Sequence, residues 1–214
     1  GALAVEAAIK TAIEYKGHHK EPKILSFNNS FHGINSFSCF ITSRFPGADT
    51  KLNKLPEIFS CKADMKINDV MSAVKENNIT AILVEPIQCS AGDVYHKNEF
   101  FIALRKIATE HDIPLIFDEI QVGFGGTGKL WYFQHLDIIP DIVVFGKKAQ
   151  VSGIMVSQRV SEIFKNGKRT KLEVTWDGNP VDMIRCKYII KAYKKYDIIK
   201  YVKKMSGLLM SQLL

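Results

Sequence analysis

Cysteine is scarce in this 214-residue sequence, and Cys39, Cys61, Cys89 and Cys186 form no CxxC pair and no cluster with histidine. That excludes a disulfide framework or a zinc site of the usual spacing and fits a reducing cytoplasm. Long apolar runs are also missing, since no stretch approaches the roughly 20 residues that span a bilayer. There is no signal peptide pattern, because Gly1 opens directly into a helical one. Internal repeats, low-complexity segments and, before about residue 180, any clear linker are absent as well. An initiating methionine is lacking, so a longer protein is one reading of the chain. The net charge is +7, which on its own suits an acidic ligand or nucleic acid. The lysines, however, are scattered singly or in pairs, as on solvated helix faces. Lys194-Lys195, Lys200 and Lys203-Lys204 fall on a late amphipathic stretch that reads equally well as plain surface. With no aromatic-basic recognition motif, nucleic acid is not an expected partner.

What is present is an alternation of helices and buried strands. Ala2–Lys16 carries Val5, Ile9, Ala12 and Ile13 at helical spacing, and Gly17 ends it. Lys23–Asn28 reads as a strand running into the Ser30-Phe31-His32-Gly33 turn. Residues 34–62 are weakly patterned and broken by Pro46 and Pro56, so they read as loop with short helical pieces. Asn68 is placed as the N-cap of a helix carrying Val70, Met71 and Val74, and Asn98 as the cap of one carrying Phe100, Phe101, Leu104, Ile107 and Ala108. Thr80–Val84, Pro114–Phe117 and Ile142–Phe145 are short, uninterrupted and rich in β-branched residues, as strands covered on both faces are. Ile154–Val156 reads as a further short strand and Ser161–Phe164 as a short helix. Lys165–Lys171 reads as a basic loop, and Asp182–Tyr196 and Ile198–Leu213 as two helices. The expected fold is α/β, a mostly parallel sheet with helices on both faces. Residues 1–180 form its main body, and the helices of 181–214 lead toward a second region.

Two of the buried strands end abruptly in polar residues, Asp118-Glu119 and Gly146-Lys147-Lys148. Ligands of open α/β sheets bind at the carboxyl ends of the strands. A buried carboxylate is costly without a partner, and a lysine partly withdrawn from water favours its neutral, nucleophilic amine. Taken alone, Asp118 and Lys147 are as consistent with a structural ion pair or two solvated rim residues as with a reactive amine and its acid. In an extended segment neighbouring side chains point opposite ways, so only one of Lys147 and Lys148 is expected to face the site. An amine able to form an imine, with an acid placed to hold a pyridinium proton, is what pyridoxal phosphate chemistry requires.

The stretch FDEIQVGFGGTGKLWYFQH, followed by PDIVVFGKKAQVSGIM, resembles the core of the class III (ω-amino acid) pyridoxal phosphate (PLP)-dependent aminotransferases. Within the class it is most similar to the L-lysine 6-aminotransferase branch, with 4-aminobutyrate aminotransferase nearby. GALAVEAAIK, FHG, VEPIQ, FDEIQ, FGKKAQ and VTWDGN follow one another in the family's order, across nearly the whole chain. The resemblance implies the large domain of PLP-dependent transferase fold type I, incomplete at both ends, either as the ordered part of a longer protein or as a truncated relative. It implies that Lys147 carries the cofactor as a Schiff base, Asp118 pairs with the pyridine nitrogen and Gln121 reaches the phenolic oxygen. Ile120 and Phe31 would cover the two ring faces. Gly1 and Ala2 would receive the phosphate at the helix start. Thr175 would reach the phosphate of the other subunit's cofactor, which makes the expected assembly a homodimer with shared active sites.

Two positions depart from the family pattern. Ile34 stands where an arginine after the FHG turn holds the substrate carboxylate, and it cannot donate a bidentate pair. Ser90, in EPIQCSAGD, stands where the family usually has a gating glutamate. The expectation is transamination from an ω-amino donor to a 2-oxo acid such as 2-oxoglutarate, with altered donor choice. Racemisation or an internal amino shift on the same scaffold, and a non-catalytic relative, are the alternatives, because fold alone does not decide between them.

Overall fold

The computed structural model describes residues 1–18, 20–43, 60–165, 175 and 177–213. In chain order its strands are β1 (Lys23–Phe27), β2 (Ser60–Ala63), β3 (Ile79–Val84), β4 (Ile87–Gln88), β5 (Val94–Tyr95), β6 (Leu115–Asp118), β7 (Ile142–Phe145) and β8 (Gly153–Val156). The helices are α1 (Ala2–Lys16), α2 (Ser36–Ile41), α3 (Ile67–Glu76), α4 (Asn98–Glu110), α5 (Gln158–Ser161), α6 (Pro180–Lys195) and α7 (Ile198–Leu213). Six strands form one sheet in the order β2-β1-β3-β6-β7-β8, and β4 and β5 make a separate two-stranded ribbon. All pairings in the main sheet are parallel except β7 with β8, which is antiparallel.

Strand parity divides the core into two layers. On β3, Ala81 and Leu83 point to the face covered by α1, where Val5, Ala8, Ile9 and Ala12 pack with Ile116, Ile142 and Val144. Ile82 and Val84 point to the opposite face and pack with Leu115, Phe117 and the α4 residues Phe101 and Leu104. A side chain every second residue faces the same way along a strand, so β3 and β6 need apolar residues at every position. Each fully buried Leu, Ile or Phe here contributes roughly 1.5–3 kcal/mol of burial. Asp118 shares the parity of Ile116 and therefore emerges on the α1 side of the sheet.

Two helix starts differ from expectation by a residue or two. Lys66 and Lys97 occupy the N-cap positions of α3 and α4, so Asn68 and Asn98 lie inside the first turn and make no side-chain cap. The stretch 34–62 contains the short helix α2 as expected, but also β2, which lies at the sheet edge against β1. Residues 44–59 lie outside the described residues, as do 166–171 of the expected basic loop. Thr175 and the Asp177-Gly178-Asn179 end of VTWDGN are described, whereas Trp176 is not. Among the described residues no helix is long and apolar enough to cross a membrane.

Candidate active site

The strand order reverses between β1 and β3: the chain goes from β1 to β2 on one side and then to β3, β6, β7 and β8 on the other. Such a switch point opens a crevice at the carboxyl ends of the strands. Phe31-His32-Gly33 follows β1, Glu85 follows β3, Asp118 ends β6 and Lys147 follows β7. These residues, together with Gly1, Ala2, Ile120, Gln121, Cys89 and Ser90, line a single cavity of about 200 Å³.

The turn after β1 is held by the start of α1. Gly33 has φ +136°, and a Cβ there would stand 2.7 Å from the Ala2 Cβ and 2.9 Å from Ser38 Oγ, so only glycine fits. Glu6 of α1 accepts the Ser38 N–H at 2.8 Å, which ties α2 to the same helix. The Phe31 N–H donates to Glu85 Oε2 at 2.8 Å. Phe31 and Ile120 therefore reach the cavity on segments fixed by backbone contacts. Gly1 is the N-cap of α1: its carbonyl accepts from the Ala4 and Val5 N–H groups, and those of Ala2 and Leu3 have no acceptor within the helix.

Asp118 is buried and accepts twice from its own fold. His32 Nδ1 lies 2.8 Å from its Oδ2, and the Ile120 N–H donates to its Oδ1 at 3.2 Å. A carboxylate accepts only, so His32 Nδ1 carries the proton. The paired partner of Asp118 is thus His32 and not Lys147, which removes the ion-pair reading of the two rim residues. Lys147 donates its amine to the Gln121 side-chain oxygen.

The two adjacent lysines part company for a reason other than strand alternation. Lys147–Ala149 form a single 3₁₀ turn, and Lys147 has φ 46°, in the left-handed region that costs a non-glycine residue roughly 1–3 kcal/mol. That turn sends Lys147 into the cavity, while Lys148 donates to the backbone carbonyls of Gln121 and Gly123. Burial, and then the Lys147 charge, lower the pKa of Lys148.

Three neighbouring acids and thiols are perturbed. Burial pushes the Glu85 carboxyl up to about 7, against the pull of His32, the Phe31 N–H and Lys147, with Asp118 adding to the rise. Burial raises the Cys89 thiol to about 11, helped by Asp93, so it stays protonated and is no nucleophile near neutral pH. Glu119 is also raised to about 7 by burial, but it serves the fold: its two oxygens accept the Tyr132 and Phe133 N–H groups at 2.6 and 3.0 Å.

Of the residues expected at the site, Gly1, Ala2, Phe31, Asp118, Ile120, Gln121, Lys147 and Ser90 line the cavity. Ile34 does not; its side chain is 77% exposed. Thr175 is exposed in a turn, two residues before Asp177, which lines a larger groove of about 850 Å³ that shares Gly1 and Lys147 with the cavity. Sequence reasoning passed over His32 and Glu85 as site residues. The signal for Glu85 was there, since it ends a buried strand just as Asp118 does.

The class-III aminotransferase sequence model matches residues 1–214. An L-lysine-epsilon aminotransferase of Mycobacterium tuberculosis is 33% identical over 219 residues, covering 89% of this chain and 49% of the relative. A 4-aminobutyrate aminotransferase of Dictyostelium discoideum is 34% identical, covering 84% of this chain and 40% of the relative. Among solved structures, a lysine aminotransferase from M. tuberculosis in the internal aldimine form superimposes with TM-score 0.77 at 31% identity, covering 100% of this chain and 57% of that one. An (S)-enantioselective omega-transaminase from Thermomicrobium roseum shares the fold, with TM-score 0.82 at 24% identity, over 93% of this chain and 51% of that one. The chain spans about half the length of the curated relatives it matches. On the strength of a family match running from its first residue to its last, this chain belongs to the class-III aminotransferases.

Proposed function

We propose that the protein is a PLP-dependent aminotransferase that moves an ω-amino group from a lysine-like or other ω-amino donor to a 2-oxo acid such as 2-oxoglutarate. The observation that carries this reading is the convergence of Lys147 and Asp118 on one cavity from the ends of the neighbouring strands β6 and β7. The cradle suits the cofactor. Asp118 is a buried carboxylate with no lysine or arginine paired to it among the described residues, an acceptor suited to a protonated ring nitrogen. Phe31 and Ile120 supply an aromatic and an apolar surface for a flat ring. Gly1 and Ala2 offer the start of a 15-residue helix to a phosphate. When bound, PLP supplies an aldehyde for amine exchange and an electron-accepting ring.

The chain's own residues then divide the work. Lys147 Nζ would hold the cofactor, and as a free amine it is placed to move a proton in the cavity. Asp118 would hold the ring-nitrogen proton, and Gln121, which accepts from the Lys147 amine, would orient the phenolic side of the ring. Phe31, Ile120 and the Phe31–Gly33 turn would form the walls around the reacting atoms.

Donor choice is proposed to differ from that of a lysine-specific enzyme, because Ser90 brings no charge to the cavity and Ile34 offers no carboxylate anchor. Residues 1–180 are proposed as most of a PLP-binding large domain, with 181–214 leading into a smaller one. The assembly is proposed to be a cytoplasmic homodimer in which Thr175 reaches the partner's cofactor.

The test is product analysis on the full-length protein with lysine, ornithine, 4-aminobutyrate or an apolar ω-amine, with and without 2-oxoglutarate. Glutamate formed only when both donor and 2-oxo acid are present supports the reading. Turnover of the amine without any 2-oxo acid would point instead to racemisation or an amino shift.

A further inference from the structure

A second cavity, of about 450 Å³, shares no lining residue with the catalytic one. It is walled by the β4–β5 ribbon, the start of α4, the stretch from Gly126 to His135 and α7. A space of that size suits a small molecule rather than a bare ion. Its most firmly built wall is Tyr132. This residue is 8% exposed, its ring packs edge-on against Phe101 in the core, and its N–H donates to Glu119. Its hydroxyl makes no hydrogen bond among the described residues and faces this cavity. A phenol so deeply set normally has a partner. Burial, then the Tyr95 phenol and Glu119, raise the pKa of Tyr132, so the hydroxyl stays a donor.

The other polar side chains lining the cavity can all donate, and none is an acid. Lys203 and the Asn98 amide make no hydrogen bond or ion pair among the described residues. Thr127 Oγ1 and His135 Nε2 lie 3.1 Å apart, and the His135 and Tyr132 rings stand 5.6 Å apart between centroids. Burial, and then the Lys129 and Lys203 charges, lower the pKa of His135 against the contact with Thr127. A cation would meet the Lys203 charge there, and a neutral molecule would leave that charge unmatched. We propose that this cavity is a second ligand site, taking a small organic anion. Its carboxylate or phosphate head would pair with the Lys203 ammonium and the Tyr132 hydroxyl, and its flat or apolar body would lie against Tyr95, Ile87 and Val202. An oxyanion accepts charge-assisted bonds from an ammonium and hydrogen bonds from a phenol. The site goes beyond the aminotransferase reading and does not depend on it.

The experiment is calorimetric titration of the full-length protein, loaded with PLP and freed of the excess, with phenyl phosphate and with benzoate. Benzyl alcohol is the neutral control. At least one anion should bind with a dissociation constant below about 1 mM, and the tighter of the two names the head group. Lys203→Glu, a change on an exposed helix face, should weaken that binding at least tenfold, whereas Lys203→Arg should bind as wild type does. Tyr132→Phe, which removes only the hydroxyl, should weaken it about three- to tenfold. Should Tyr132→Phe fail to fold, the two Lys203 variants decide. Absence of binding at millimolar concentration overturns the proposal. So does benzyl alcohol binding as tightly as the anions, or anion binding that Lys203→Glu leaves unchanged. None of these results touches the assignment of Lys147 and Asp118.

Discussion

Lys147 and Lys148 donate to two different atoms of one residue: the Lys147 amine reaches the side-chain oxygen of Gln121, and the Lys148 amine its backbone carbonyl. The second lysine also reaches the Gly123 carbonyl and passes over Gly126, where a Cβ would lie 3.3 Å from its nitrogen. One lysine therefore faces the cavity while its neighbour anchors the turn that presents Gln121. Lys148 crowds Gly126, and at Gly123 a Cβ would stand 2.7 Å from the Glu119 carbonyl and 2.9 Å from the Trp131 ring.

Exchanging the two lysines separates these roles. Lys147→Ala should abolish the visible absorbance of the bound cofactor with little loss of stability. Lys148→Ala should keep the absorbance and lower stability by about 1–2 kcal/mol, a charged donor lost from a half-buried site. Absorbance spectra and thermal unfolding of the two variants check the assignment.

Glu85 and Glu119 make stability fall as pH rises. Both carboxyls go from 4.5 to about 7, driven by burial. The folded state thus binds these protons more tightly than the unfolded chain does. Their contribution is complete below about pH 4.5 and is lost as pH rises through about 7, by up to roughly 3 kcal/mol for each group. Glu85→Gln can still accept the Phe31 N–H through its amide oxygen, so this variant should flatten the slope between pH 5 and 7 in urea titrations. Glu119→Gln should flatten it too but lower stability overall, because one of its two backbone donors would face an NH₂ group. An unchanged slope in Glu85→Gln would show that its carboxyl titrates normally.

At the opposite end of β6 and β7, Asp141 bonds Arg105 Nη1 at 2.7 Å, Arg159 Nη1 at 3.2 Å and the Leu115 N–H at 2.9 Å. Arg105 is largely buried, so Asp141→Ala strands a charge and should cost about 3–5 kcal/mol. Cofactor affinity should change little in whatever fraction remains folded, since the network lies at the other end of these strands from the cavity. Chemical denaturation combined with a PLP-binding titration checks both halves.

Donor specificity should respond to the two departures from the family pattern. Ile34→Arg together with Ser90→Glu is expected to raise kcat/KM for lysine by about tenfold or more relative to an apolar ω-amine, as a charge-assisted pair to the carboxylate would. Equal change for both donors would mean that these positions do not choose the substrate.

Much of the sheet was legible because β3, β6 and β7 are buried on both faces and must be apolar throughout. The polar residues that end them, Glu85, Asp118 and Gly146-Lys147, could only belong to the rim. β2 was not legible: Ser60–Ala63 is four residues long, half-exposed and contains Lys62, so no period marks it. The helix caps were misplaced because Asn68 and Asn98 are good capping residues by type, yet the turns begin earlier, at Lys66 and Lys97. The reversal of β8 leaves no trace in composition. His32 was visible only as the middle of a turn, since its importance depends on a contact 86 residues away in sequence. The separation of Lys147 from Lys148 was foreseen, but its cause, a left-handed residue opening a 3₁₀ turn, requires coordinates.

The central claim is that one particular amine, held opposite Asp118, carries the cofactor. Borohydride reduction of the PLP-loaded protein, followed by proteolysis and peptide mass mapping, tests it most directly. The account predicts a single pyridoxyl group, on Lys147. A label on Lys148, a label spread over surface lysines, or no label at all would contradict it.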